Sequence, residues 1–408
     1  MRHVYASLDI GTDTIKLIVC EYLMGRYNLL ASSCVKSEGI KKGLITDVYL
    51  AKSSIKKAFD EVEVMLGFKI KKVVAIVPSY YSGFSIIKSE ATIDSKVTGD
   101  DVIRILGSAM KDSIVKGKEM VTILPIDFKA GDIVTKNPIG LTCSNLSVRA
   151  LMVTVPKNNI YSVVELLSSI GIEVVDISLG CIGDIYTFKC ENTKDAVTAI
   201  INIGHEKTEV SLYNKNIIVK HSVLNIGSKN VTNDIAYMYK LDNNVARDLQ
   251  ENFAFAHKGA ASLNEYREVI NKYKDKVKIN QYEISEIASS RIEEILSLAS
   301  SEINNLTPHK PSYIFITGGI TNMINFREIA VEKLGNCAII GNVNLTGARN
   351  NKYSSSIGNI IYFIDKLKLK GKNYSMISKE EMEILSTPRK NTNNDSMLSK
   401  VFGYFFGE

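Results

Sequence analysis

The chain has 408 residues, 45% of them hydrophobic and 23% charged, which is a globular composition long enough for two or more domains. Its net charge of +6 is mild for that length, so a basic nucleic-acid arm is excluded, while acidic partners, anionic lipid included, remain permitted. Six scattered cysteines without a Cys-x-x-Cys read as buried reduced thiols, and five dispersed histidines offer no zinc pattern.

In chain order, Val4, Leu8 and Ile10, then Ile15, Leu17 and Val19, alternate as two strands about a tight turn at 11–14. A hairpin tip with Gly11, Thr12 and Thr14 offers backbone N–H groups and hydroxyls to an anion. Asp9, just before the turn, can hold a hydrated cation such as Mg²⁺, which keeps several waters and needs few carboxylates. Lys16 can return to the same phosphates. No cleavable apolar segment opens the chain, and no run approaches the ~18 apolar residues of a membrane span, so folding in the cytosol is expected.

Residues 27–34 continue the sheet. Val48, Ala51, Ile55, Ala58, Phe59, Val62 and Leu66 predict a helix over 47–66, and 71–78 is a short buried strand. Residues 79–156 read as an inserted subdomain: a helix capped by Thr98, strands over 121–126 and 146–155, and a turn at Asn137-Pro138-Ile139-Gly140. A helix over 158–170 and a strand over 173–177 follow.

The chain then echoes itself. Asn202-Ile203-Gly204 lies on Asp9-Ile10-Gly11, again with Thr and alternating apolar residues behind it. One such match is a common turn; two at this spacing indicate two related halves, each presenting a phosphate-binding hairpin. Residues 231–306 read as mostly helical, with a core-facing stripe over 281–305. Lys272, Lys274, Lys276 and Lys278 alternate on an exposed segment. Thr317-Gly318-Gly319-Ile320 follows a buried strand, where paired glycines let a flat ring approach the backbone. A last helix covers 357–369. Residues 371–395 lose periodicity and read as a flexible linker with one short helix near 379–385. Met397, Leu398, Val401, Phe402, Phe405 and Phe406 then form one face of an amphipathic helix over 396–408, with Lys400 beside them. That helix is expected to bind a membrane surface or a partner's groove.

These residues resemble the actin-like ATPase superfamily over nearly the whole chain, and most closely its bacterial cell-division family, FtsA. Asp9-Ile10-Gly11-Thr12 is similar to the first phosphate motif, 202–208 to the second, Ile226-Gly227-Ser228 to the opening of subdomain 2B, and Thr317-Gly318-Gly319-Ile320 to the adenosine motif. The insert and the tethered terminal helix point to FtsA within the superfamily.

The resemblance implies an α/β fold of two ribonuclease-H-like lobes around a nucleotide cleft. Subdomain 1A would take 1–78, 157–195 and 358–370, and 1C would take 79–156. Subdomain 2A would take 196–228 and 307–357, and 2B would take 229–306. It implies ATP and Mg²⁺ held by Asp9 (metal), Gly11, Thr12, Asp13, Thr14, Lys16, Asn202, Gly204, Lys207, Thr208, Gly227, Ser228, Arg247, Gln250, Gly318, Gly319 and Ile320. It also implies self-assembly into filaments, a tail peptide of the tubulin-like protein FtsZ bound near Lys274 and Arg291, lipid contact, and a place on the cytoplasmic face of the membrane at the division site.

Three departures stand out. Asn202 replaces the usual Asp, His205 and Glu206 replace a Gly pair, and Arg247 and Gln250 stand where Glu and Lys are usual. Slow or absent hydrolysis is therefore expected, and no general base is identified. A pilus-assembly adaptor of the same superfamily and a small-molecule kinase are the alternative readings.

Overall fold

The computed structural model describes residues 2–110 and 113–386. The helix expected over 396–408, with Met397, Leu398, Lys400, Val401, Phe402, Phe405 and Phe406, and the linker beyond 386 lie outside the described residues.

β1 (Arg2–Ile10), β2 (Thr14–Leu23) and β3 (Arg26–Lys36) form an antiparallel meander. A short hairpin, β4 (Ile40–Lys41) and β5 (Leu44–Ile45), leads to α1 (Val48–Leu66). Asp47 caps that helix by accepting from Tyr49 and Leu50 N–H. β6 (Lys72–Ile76) returns parallel to β1.

The insert follows as β7 (Gly83–Thr92), α2 (Gly99–Met110), β8 (Lys118–Ala130), β9 (Ile133–Thr135) and β10 (Asn145–Pro156). Its sheet runs β7-β10-β8-β9 and has a core of its own, including Val102, Ile105, Phe128 and Val148. Thr98 caps α2 as expected: its hydroxyl accepts from Asp101 N–H, and the Asp101 carboxylate accepts from Thr98 N–H.

α3 (Lys157–Ser168), β11 (Glu173–Ser178) and α4 (Gly180–Phe188) complete the first lobe. Its sheet has the order β11-β6-β1-β2-β3. The second lobe repeats this with β12 (Val197–Ile203), β13 (Thr208–Asn214), β14 (Ile217–Leu224), α5 (Ser228–Met238), α6 (Asn243–Asn252), β15 (Tyr266–Ile270), β16 (Lys276–Asn280), α7 (Gln281–Leu306), β17 (Tyr313–Thr317), α8 (Phe326–Leu334) and β18 (Ala338–Ile340). Its sheet runs β18-β17-β12-β13-β14, the first lobe's topology strand for strand: a meander with two parallel strands added beside its first member. α9 (Ser354–Leu369) and α10 (Lys379–Ser386) end the described chain.

α4 and α9 pack between the two sheets, while α1 flanks the outer face of the first and α7 and α8 the outer face of the second. Close approach of α4 and α9 depends on glycine. A Cβ on Gly358 would lie 1.7 Å from the Gly183 carbonyl oxygen, and one on Gly183 would lie 2.2 Å from the Ser355 carbonyl oxygen.

Two expectations need correction. Residues 266–280 are not helical but form the β15–β16 ribbon, where Val269 and Val277 pack on the second core while Lys276 and Lys278 stay on the outside. Alternation there marks a half-buried strand pair, and Lys272, Lys274, Lys276 and Lys278 are all exposed, as expected. The linker also begins later than 371. Met376 N–H donates to the Val4 carbonyl, Val4 N–H donates to Ser375 Oγ, and the Tyr5 hydroxyl donates to the Tyr374 carbonyl. β6 pairs with β1 only from Ser7 onward, so residues 374–376 fill the edge that β6 leaves open. The short helix expected near 379–385 is α10.

Candidate nucleotide cleft

The two echoing motifs fold alike. Ile10 pairs with Ile15 and Ile203 with Thr208, so each hairpin carries a four-residue loop. Each loop closes with the same bond: Gly11 N–H to Thr14 carbonyl at 3.1 Å, and Gly204 N–H to Lys207 carbonyl at 2.9 Å. One register position outside the loop, Asp9 faces Lys16 in the first hairpin and Asn202 faces Glu209 in the second.

Both tips line one cavity of about 470 Å³, within the range of small-ligand sites. Asp9, Gly11, Thr12, Asp13, Thr14, Lys16, Asn202, Gly204, Lys207, Ser228, Arg247, Gln250, Gly318, Gly319 and Ile320 all contribute to its wall. At Gly318 φ is +103°, and a Cβ there would stand 2.1 Å from the Ile203 carbonyl oxygen, so only glycine brings this turn against β12.

Thr208 and Gly227 are the two expected contacts that do not line the cavity. Thr208 is fully buried and its hydroxyl donates to the Ile226 carbonyl; Gly227 is buried beneath the second loop, against the carbonyls of Gly204 and His205. Both support the loop from behind.

Carboxylates and cations balance around the cavity. Lys16 Nζ lies 2.7 Å from Asp9 Oδ2. Arg247 grips Asp13 with two parallel bonds, Nη1 to Oδ1 at 2.6 Å and Nη2 to Oδ2 at 2.7 Å, and also holds Glu251. This pair ties the first-lobe hairpin to α6 across the cleft mouth. Burial works to raise the Asp13 carboxyl, but the Arg247 hydrogen bonds and the neighbouring His205 and Lys16 outweigh it and hold it below the usual range. Glu209 is paired with Lys207 and accepts from the Ser79 hydroxyl at 2.6 Å. Burial would raise this carboxyl too, yet the Lys207 and His221 charges and the hydrogen bonds carry it down to about 2.

Glu206 does not line the cavity. It accepts from Lys42 N–H at 2.9 Å and pairs with Lys229 at 2.6 Å, so its charge is turned away from a bound phosphate. Gln250 does line it, but its Oε1 already accepts from the Thr232 hydroxyl.

A residue not anticipated from the sequence lies under the second motif. Asp184 on α4 is 1% exposed and accepts from Ser354 Oγ at 2.7 Å, Ser355 Oγ at 2.8 Å and Asn202 Nδ2 at 2.7 Å. Burial pushes its carboxyl up to about 6, against the pull of those three donors. The Thr317 hydroxyl, at the start of the Gly-Gly turn, lies 3.0 Å from Ser354 Oγ. α4 is short and has Gly183 inside it, so it carries little periodic signal by which Asp184 could be singled out.

The site fits a nucleoside triphosphate with Mg²⁺. Two loop backbones and Lys16 line the cavity where they would face its phosphates, and the carboxylate and amide oxygens of Asp9 and Asn202 would suit an ion that keeps its waters. Among the described residues there is no larger acidic cluster that would strip those waters.

The family model for cell division protein FtsA matches residues 199–358, and the model for type IV pilus assembly protein PilM matches residues 7–275. Cell division protein FtsA of Bacillus subtilis is 27% identical over 93% of this chain and 88% of its own length. FtsA of Enterococcus hirae is 24% identical over 98% of both chains. Over nearly its whole length the chain is similar to the FtsA family of actin-like cell-division proteins. Solved structures show the same fold. The PilM–PilN type IV pilus biogenesis complex superposes with a TM-score of 0.58 at 14% identity, covering 88% of this chain and 98% of that one. MreB5 of Spiroplasma citri bound to AMPPNP gives 0.55 at 13%, covering 90% and 99%. These likenesses show an actin-like fold.

A second groove, of about 400 Å³, lies between α5 and α7. Tyr237, Met238, Ile287 and Arg291 line it with Asp234, Glu286, Ser290 and Glu294. Arg291 is engaged by Asp234 and Glu294. Lys274, in the β15–β16 turn, is not part of the groove.

Proposed function

We propose that the chain binds Mg-ATP between its lobes, assembles with itself into filaments, and holds FtsZ filaments at the cytoplasmic face of the membrane through residues 396–408. The observation that carries the nucleotide reading is the pair of matching hairpin loops facing one cavity. Bound Mg²⁺ supplies charge neutralisation for the triphosphate. The chain's own groups do the rest: loop backbones and Lys16 orient the phosphates, Gly318 and Gly319 admit the base, and Arg247 on Asp13 bridges the mouth.

Hydrolysis is slow or absent on this reading. The buried carboxylate near the phosphate end, Glu209, is held ionised at a pKa of about 2 by Lys207, and so weak a base takes a proton from water poorly. The FtsZ tail peptide is assigned to the Tyr237–Arg291 groove. Three carboxylates and one guanidinium there favour a peptide that presents apolar side chains and a basic residue.

Six large apolar side chains on the helix expected over 396–408 would contribute roughly 9–18 kcal/mol at full burial, and far less once incomplete burial and the cost of ordering the segment are subtracted. One copy therefore binds lipid reversibly, and a filament gains by avidity. The test is vesicle pelleting of the full chain, of a chain ending at residue 395, and of Phe402→Glu, each with ATP and Mg²⁺. The full chain should pellet and both variants should stay in solution with nucleotide binding intact; equal pelleting of all three would refute the anchor. The PilM match over 7–275 favours the second reading, a pilus-type adaptor. Such an adaptor would take a membrane protein's peptide and pellet no more than its truncated form.

A further inference from the structure

Asn202 stands where a carboxylate is expected, and an amide has two unlike ends. Which end faces the cleft decides whether this position accepts or donates. Both N–H bonds of its Nδ2 are committed below the cleft floor, one to Asp184 Oδ2 at 2.7 Å and the other to Ser355 Oγ at 3.3 Å. Ser355 spends its own proton on Asp184 Oδ1, so toward Asn202 its oxygen can only accept. An ionised Asp184 likewise only accepts. No hydrogen bond among the described residues takes Asn202 Oδ1, and Asn202 lines the cavity.

We infer that Asp184 is a positioning residue that fixes the Asn202 amide with its carbonyl oxygen toward the cleft, so that the second hairpin presents an acceptor to the water shell of a divalent cation. This deepens the nucleotide reading and rests on it. An outward oxygen repels a bare phosphate but accepts from cation-bound water, so Asn202 takes over the geometric part of a carboxylate's role without its charge. Neighbours of this kind, one step removed from the ligands, are generally worth 10–100-fold in metal affinity.

Asp184→Asn inverts the arrangement. Ser354 and Ser355 both donate at Oδ1, so the new amide keeps its oxygen there and turns its NH2 toward Asn202. Asn202 must then rotate its oxygen inward and offer N–H to the cleft. The double variant Asp184→Asn with Asn202→Asp restores the pairing and puts a carboxylate oxygen in the cleft.

The experiment measures affinity for a fluorescent ATP analogue by anisotropy, in Mg²⁺ and in EDTA, for the full-length protein and both variants. Thermal melts without nucleotide verify folding. The readout is the ratio of the two affinities. Wild type should bind more tightly in Mg²⁺. That ratio should fall about tenfold or more in Asp184→Asn and recover to or beyond wild type in the double variant. An unchanged ratio in folded Asp184→Asn, with wild type still binding, overturns this inference alone. Should Asp184→Asn fail to fold, a double variant whose Mg²⁺ ratio stays below wild type overturns it equally. Absence of binding by wild type in both buffers overturns the nucleotide reading and this inference with it.

Discussion

The Asp13–Arg247 pair is the most direct test of how the cleft closes. It joins residues 234 positions apart, one on the first phosphate hairpin and one on α6, through bonds of 2.6 and 2.7 Å. Charged hydrogen bonds of this geometry contribute roughly 1.5–3 kcal/mol when buried, and exposed ion pairs roughly 0.2–1. The Asp13 side chain is 19% exposed and that of Arg247 39%, so the pair is screened and about 1–2 kcal/mol is appropriate. If the pair is intact while nucleotide is bound, its loss should speed release by about 5–30-fold. Stopped-flow chase of a fluorescent ATP analogue from Asp13→Ala, Arg247→Ala and the double variant measures this. Each single substitution should accelerate release, and the double variant should be no faster than the faster single, because both remove one shared interaction. Multiplying effects in the double variant, or singles that match wild type, would refute the latch.

Acid titration offers a second check. The Glu209 carboxyl sits at about 2, below its ordinary 4.5, so it contributes stability above pH 4.5 that is lost as pH falls toward 2. A shift of that size corresponds to about 3 kcal/mol. Glu209→Gln should lower the melting temperature at pH 7 and flatten its decline between pH 4.5 and 2.5, read by circular dichroism. Asp184, raised to about 6, acts in the opposite sense, favouring the fold as pH falls from 6 to its ordinary 3.8, so the Glu209 signal is clearest below that range. In the second groove, Tyr237 is 83% exposed and central to the apolar surface. Tyr237→Ala should weaken binding of an FtsZ C-terminal peptide by about 5–30-fold, the range of an aromatic anchor. Lys274→Ala, outside the groove, should change it less than about twofold. Isothermal titration calorimetry separates the two, and the reverse ranking would move the peptide site to the β15–β16 turn.

The sequence by itself determined the local devices. Alternating apolar residues about Gly11 and Gly204 specify two hairpins, since side-chain period and turn chemistry act within a few residues. The echo of 9–11 in 202–204 foretold the shared strand order of the two sheets. The stripe on α7 and the cap at Thr98 were equally readable, whereas Asp47, read as the first residue of its helix, proved to be that helix's cap. The tertiary structure alone decided which charges neutralise which. Asn202 meets Ser355 at a separation of 153 residues, Asp184 meets Ser354 at 170, and Asp13 meets Arg247 at 234. It also decided that Glu206 turns from the cleft, that Thr208 supports the loop rather than the ligand, and that residues 374–376 complete an edge of β1. The physical reason is that hydrogen bonds and ion pairs between distant segments impose no period on a chain. They become visible only when two helices touch, as α4 and α9 do at Gly183 and Gly358.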